Sequence, residues 1–454
     1  MDQLSQGQIE FVRKERVFKR GMSLIIINTI LILLALLLSG CSQQEGRVLN
    51  GDDNTPIVGA TIYHNGQVAQ SDNEGRFKLN RPDLNKPLLV KAVGFRRISV
   101  PLKRYIRPNA RLESFQAKAV YLSHAGVGAA HLRNPVLDLI AETDVNAVVV
   151  DVKGQRGLFS FSWEIPIGHQ IGAFSKITIE DPDAFIHQMR EKNIYVIGRV
   201  CVFKDEALAN NKSEWAAIDP KSNKPFRDTD KIPWMDPFRK EVWEYNLAIA
   251  KAAAEVGFDE IQFDYLRFPT APVKYSKENT KEAREGVIKE FLAKAQKELQ
   301  PYNVYLSVAT SGISLWKQGD ADIGQDLAII APLVDYISPY IFPSDLPAGA
   351  LNLKTNAAAV PGEAVTAALE MGIQRIGNQP EKIRPWLQSF KDYSRLRREF
   401  KEEEIAEEIA ACADAGTAGW IFFNPENKYP YVSGALEKAK QHVSGKNKIA
   451  QVQP

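Results

Sequence analysis

Cysteine is nearly absent, with three in 454 residues. So few thiols exclude a disulfide framework, and a chain this long has no need of one. Cys201 and Cys412 fall in apolar segments and read as buried free thiols. Charge of one sign is lacking too: 57 Lys and Arg against 55 Asp and Glu leave +2. That balance carries no electrostatic footprint for nucleic acid, so none is expected as a partner. The six histidines show no ligand spacing, so no metal and no cofactor is expected. No Gly-x-Gly-x-x-Gly and no P-loop follows an apolar run, which weighs against nucleotide binding. Long apolar runs are also missing. The stretch Leu24–Leu38 covers about 15 residues, short of the ~20 that span a bilayer as a helix.

That short run has the flanks of an export signal. Arg13, Lys14, Arg16, Lys19 and Arg20 precede it, and Leu38-Ser39-Gly40-Cys41 closes it. A basic region, a short apolar region and small residues at a cut site are the parts of a cleavable signal. The tetrapeptide resembles the lipobox of bacterial lipoproteins, which implies lipidation at Cys41 and removal of residues 1–40. Several acyl chains would hold the mature protein to a membrane. The expected place is the bacterial cell envelope, facing the periplasm or exterior. The alternative is an uncleaved N-terminal anchor.

Residues 41–45 form a short tether, after which the pattern turns to brief alternating runs. Gly46–Leu49, Ala60–Tyr63, Arg76–Leu79 and Leu88–Ala92 are separated by Asn50-Gly51, Asn65-Gly66 and Asp72-Asn73-Glu74-Gly75. Short strands broken by turn signals predict a small all-β sandwich over 46–115. The pieces "GRVLNGDDNTPIVGATIY", "SDNEGRFKL" and "LLVKAVGFRR" are similar to the carboxypeptidase regulatory-like domain. The acidic turn at Asp72–Gly75 reads as a hairpin turn, with a calcium loop as the rarer alternative.

From Ala117 the rhythm becomes strand, helix, strand. Strands are predicted at Ala119–Ser123, Ala147–Asp151, Tyr195–Val202, Glu260–Tyr265, Val304–Ala309, Tyr336–Ile341, Ile383–Gln388 and Gly419–Phe423. Helical patterns lie between, notably Trp243–Val256, Lys281–Leu299 and Glu402–Ala415. Eight such strands over 117–435 predict an α/β fold, a (β/α)8 TIM barrel, followed by a polar tail over 436–454.

In such barrels the active site gathers at the C-terminal strand ends. Strand two ends in Asp151, with Lys153 as its expected ion-pair partner, and strand three in Arg199, followed by Lys204 and Asp205. Asp205 doubles as a cap for a helix starting near Glu206. Strand four, "DEIQFDYLRFP", is the richest. Period two puts Gln262, Asp264 and Leu266 on one face, taken as the barrel side, with Arg267 close by. Aromatics gather at the same level: Trp234, Phe238, Tyr340, Phe342, Trp386, Trp420 and Phe423. Sugar rings stack on aromatics while Arg, amides and carboxylates bind their hydroxyls, so Arg199, Gln262, Arg267, Tyr340, Trp386, Gln388, Trp420 and Asn424 are the candidate substrate contacts.

These segments also carry a resemblance. "NAVVVDVKGQRG", "IYVIGRVCVFKD", "GFDEIQFDYLRFP", "DYISPYIFPS", "IRPWLQSF" and "GWIFFNP" look like DUF4015, a glycoside-hydrolase-like family of bacterial barrel proteins. The resemblance implies an amylase-like barrel acting on a polysaccharide, with Asp264 where such enzymes carry a strand-four nucleophile. Strand five, "VYLSVAT", holds no Glu where their general acid would stand. Retaining hydrolysis needs carboxyls about 5–5.5 Å apart and inverting hydrolysis about 6.5–9.5 Å. A partner to Asp264 must therefore come from Asp151, Asp205, Asp345 or a loop acid such as Glu363, with Asp151 the first choice. The alternative function is a non-catalytic carbohydrate-binding or structural envelope lipoprotein.

Overall fold

The computed structural model describes residues 43–103, 106–347 and 349–450, with side chains described as far as 441. Cys41 and the signal run lie outside the described residues. No helix among the described residues is long and apolar enough to cross a membrane. The chain divides into two compact units. One runs to Val90 and resumes over Ile98–Leu112; the other comprises Lys91–Arg97 and the chain from Glu113 onward.

The first unit is all-β. Its strands are β1 (Gln43–Asn50), β2 (Thr61–His64), β3 (Gln67–Gln70), β4 (Arg76–Asn80), β5 (Leu88–Lys91), β6 (Ile98–Val100) and β7 (Asn109–Leu112). They form two sheets, in the orders β4-β1-β7 and β3-β2-β5-β6. Alternation does the work: Phe77 and Leu79 of β4 and Leu88 and Val90 of β5 are buried, while their neighbours face out. The β2–β3 hairpin turns at Asn65-Gly66, both with positive φ, the pair that matches the strands' right-handed twist. Asp72–Gly75 is a tight turn. The Asp72 carboxylate accepts the backbone N–H groups of Glu74 and Arg76, at 3.0 and 2.8 Å.

The second unit is a closed parallel barrel of eight strands: β8 (Ala117–Leu122), β9 (Ala147–Lys153), β10 (Tyr195–Cys201), β11 (Glu260–Asp264), β12 (Tyr305–Thr310), β13 (Tyr336–Ile341), β14 (Trp386–Gln388) and β15 (Gly419–Phe423). Helices Lys240–Val256, Lys281–Leu299 and Glu402–Ala415 pack outside it. Strands buried on both faces read as continuous apolar runs, which is why β9 and β10 show no alternation in sequence. The tail differs from expectation: a helix continues over Val432–Ala450, burying Val432, Ala435, Leu436 and Ala439 at helical spacing.

Strand β11 organises the barrel interior in layers, because its alternate residues point inward. Glu260 accepts from Arg384 at 2.7 Å and from the Tyr195 hydroxyl at 3.0 Å. One step up, Gln262 donates to the Ser338 hydroxyl at 3.1 Å and accepts from the Trp386 indole at 3.1 Å. Asp264 forms the top layer. At the other end, Lys91–Arg97 ties to the starts of β12 and β13: the Tyr305 hydroxyl donates to Phe95 O at 2.8 Å, and Lys91 pairs with Asp335 at 2.6 Å.

Candidate active site

Arg199 is the centre of the top layer. Strand register sets it opposite Asp151 on β9 and Gln262 on β11, with Asp264 two residues further along. Its Nη1 donates to Asp151 Oδ1 at 2.5 Å, and its Nε and Nη2 reach Asp264 Oδ2 at 2.7 and 2.6 Å. A forked guanidinium between two carboxylates is the strong, directional form of ion pair. Burial opposes the Arg199 charge, but the groups facing it win and its pKa rises well above the ordinary arginine value.

Asp264 has two further partners. The Tyr340 hydroxyl donates to Oδ2 at 2.6 Å, and the Tyr265 backbone N–H donates to Oδ1 at 2.6 Å. Tyr265 has φ +49°, the left-handed region that a bulky side chain seldom adopts. Such backbone strain gathers at functional sites, and here it turns the chain directly after the carboxylate. The turn breaks the period of two. Tyr265 therefore lines the cleft, while Leu266, expected on the barrel side, is fully buried in the core beneath the helices.

Above this layer opens a cavity of about 490 Å³. Arg199 and Asp264 form its floor, with Arg267 and Tyr340 beside them. One wall comes from the loop after β12, where Gly312 lies so near Tyr340 O that a Cβ would stand at 2.3 Å. Trp316 follows on that wall, and Phe342 and Phe423 supply apolar surface. Asp345 closes the rim on the short turn after β13. It reaches solvent through the mouth and accepts the Tyr393 hydroxyl, yet protein crowds its carboxyl enough to raise its pKa above the usual aspartate value.

Of the five acids named as candidates, Asp264 and Asp345 line this cavity, and Glu363, expected on a loop, lies in the first turn of the helix Pro361–Arg375. Asp151 does not, since Arg199 takes one of its oxygens and the Tyr121 hydroxyl the other, at 2.7 Å. Asp205 is also set apart. It is wholly buried, pairs with Lys153 at 2.5 Å and caps the helix Glu206–Asn211 through Leu208 N. Lys153 is thus the partner of Asp205, not of Asp151.

The expected sugar contacts divide likewise. Arg199, Arg267 and Tyr340 line the cavity. Gln262 and Trp386 are fully buried against each other in the layer below. Gln388 is buried too, holding the turn after β13 through Ser344 Oγ at 2.7 Å. Asn424 secures a loop by donating to Ser389 O at 2.5 Å. Trp420 points the other way. Ile421 and Phe423 take the barrel side of β15, so Trp420 packs outward against Phe422, beside Ile409 and Leu436 of the helices. Sequence reasoning missed Tyr121, Tyr265 and Trp316. Only the aromatic character of the first two, beside carboxylate-bearing strand ends, hinted at them.

The model of DUF4015, described as "Putative glycosyl hydrolase domain", matches residues 119–429. The chain belongs to the DUF4015 family. None of the curated proteins compared matches it. Among solved structures, the glycoside hydrolase domain of PgaB (BpsB) from Bordetella bronchiseptica is 11% identical, with a TM-score of 0.52 over 72% of this chain and 98% of that one. That likeness is one of barrel fold. A hypothetical protein from Ruminiclostridium thermocellum ATCC 27405 is 37% identical over 42% of this chain and 96% of its own, with a TM-score of 0.37.

Proposed function

We propose that this DUF4015 protein is a glycoside hydrolase that cleaves a polysaccharide with Asp264 as nucleophile or base and Asp345 as proton donor. The observation that carries the reading is the convergence of these two carboxyl groups on one aromatic-walled cavity at the C-terminal end of the barrel. Their surroundings differ in the sense the chemistry needs. Asp264 is gripped by the Arg199 guanidinium, whereas burial raises the Asp345 pKa above the usual aspartate value. With Arg199, Tyr340 and the Tyr265 amide gripping it, Asp264 is fixed in orientation before substrate arrives.

Assay against a polysaccharide panel tests this. Asp264→Asn and Asp345→Asn should each lower kcat by roughly 10²–10⁴ while the fold persists. Unchanged release of sugars by Asp264→Asn protein would sink the assignment. Binding of glycans without turnover by wild type would favour a carbohydrate-binding envelope protein instead, a reading supported by how fully Arg199 and Tyr340 engage the Asp264 charge.

The anchor belongs to the same proposal. Lipidation at Cys41 would hold the protein to a bacterial membrane, with the carboxypeptidase regulatory-like β-unit as a spacer and the barrel as the working part.

A further inference from the structure

Arg199, Lys204 and Arg267 lie at this end of the barrel, and the first two have carboxylate partners. Arg199 pairs with Asp151 and Asp264, and Lys204 with Asp228 and Asp230, both at 2.7 Å. Arg267 is different. Among the described residues it makes one hydrogen bond, from Nη1 to Phe268 O at 3.1 Å, and no ion pair. It is held instead by aromatic faces, its guanidinium 4.8 Å from the Trp234 ring and 5.8 Å from the Tyr265 ring. Trp234 is itself locked, with its indole N–H donated to Asp228 at 3.0 Å. Arg267 thus lines the cavity as a stacked, oriented fork with donors unspent.

We propose that Arg267 receives a carboxylate carried by the sugar, so that the cavity takes an acidic glycan rather than a neutral one. The inference rests on the glycoside hydrolase reading of the same cavity. Partial removal of a guanidinium from water without a counter-charge is costly, and a ligand anion repays that cost. Burial already pulls the Arg267 pKa below the ordinary arginine value, the mark of a cation short of compensation. A planar carboxylate matches the planar fork with two parallel hydrogen bonds, which a sugar hydroxyl cannot do. The acids near Arg267 do not forbid an anion. Arg199 and Tyr340 take up the Asp264 charge, Lys204 and the Trp234 indole take up that of Asp228, and Asp345 in its proton-donor form is neutral. Two of the ways in which a glycan carries a carboxylate are a C6 uronate and a lactyl ether on the ring.

The test uses matched pairs: oligouronates, and glycan strands bearing lactyl ethers, each beside its carboxyl-reduced neutral form. Turnover is measured with wild type, and binding by calorimetry with Asp264→Asn protein. Wild type should prefer the carboxylated member of one pair, which also identifies the source. Arg267→Met should lose that preference by roughly 10- to 100-fold in kcat/KM, the scale of one charge-assisted hydrogen bond. Arg267→Lys, which keeps charge without the fork, should fall between. Equal handling of both members of both pairs, or a preference that survives Arg267→Met, would overturn the inference. Calorimetric preference for the acidic member without turnover by wild type would uphold Arg267 and overturn hydrolysis.

Discussion

At the scale of residues, the site is a contrast between two aspartates. Asp264 sits in a cage of donors, and Asp345 sits where protein crowds it and the Tyr393 hydroxyl donates to it. The contrast has a pH signature. A proton donor works only while protonated, so activity on a polysaccharide should fall as pH rises through the raised pKa of Asp345. That limb should lie above the usual aspartate range and vanish in Asp345→Asn. The variant should keep most of its rate on an aryl glycoside whose leaving group needs no proton. A pH profile of kcat/KM on both substrates decides it; an alkaline limb that persists in the variant assigns the donor elsewhere. Asp264 was legible because a buried apolar run ends in it. Asp345 was only one candidate among several, because its standing depends on where the turn after β13 lands relative to β11, 81 positions earlier.

Elements explain which residues point where. Strand β11 reads correctly up to Asp264 and fails one residue later, because the positive φ of Tyr265 swaps the faces. On β15, Trp420 and Phe423 looked alike in sequence, and only barrel closure decides which face is inside. The helix Glu402–Ala415 holds a second consequence of burial. Glu408 is fully buried, and among the described residues neither carboxyl oxygen makes a hydrogen bond of good geometry. Burial first, then Glu407 and Glu404, raise its pKa well above the ordinary value, and only the Gln388 backbone amide opposes them. The folded protein therefore keeps a proton that the unfolded chain releases above the usual glutamate range. Stability from this group is fully present below that range and is lost as pH rises toward the folded pKa. Glu408→Gln should remove that dependence and stabilise the protein near pH 7. Urea denaturation at pH 5 and pH 7 measures it; a destabilised variant at pH 7 would show that the carboxyl has a charged partner.

For the whole molecule, the testable statement concerns Cys41. Cells fed labelled palmitate should incorporate it into the wild-type protein, which should fractionate with membranes. Cys41→Ala should lose the label. Label retained in the variant would show that Leu38-Ser39-Gly40-Cys41 is not the lipidation motif. At this scale much was open to reading. Eight apolar runs separated by helical patterns define a barrel because each strand must bury both faces, and this constraint is local and periodic. Turn pairs such as Asn65-Gly66 define hairpins for an equally local reason. The export-signal expectation rests on order along the chain alone, and the palmitate experiment tests it. What tertiary structure decided was pairing. Asp205 stands closer to Arg199 along the chain than Asp151 or Asp264, yet strand register gave Arg199 Asp151 and Asp264. Lys153 stands two residues from Asp151 yet bonds Asp205, because a bulge in β9 after Asp151 sets Lys153 opposite Val200 rather than Cys201 and so takes it off the face that Asp151 shares with Arg199. Charge pairing acts across tens of residues and depends on distances of a few ångströms. Local pattern carries the fold, and only closure of the barrel selects which carboxyls share the cavity.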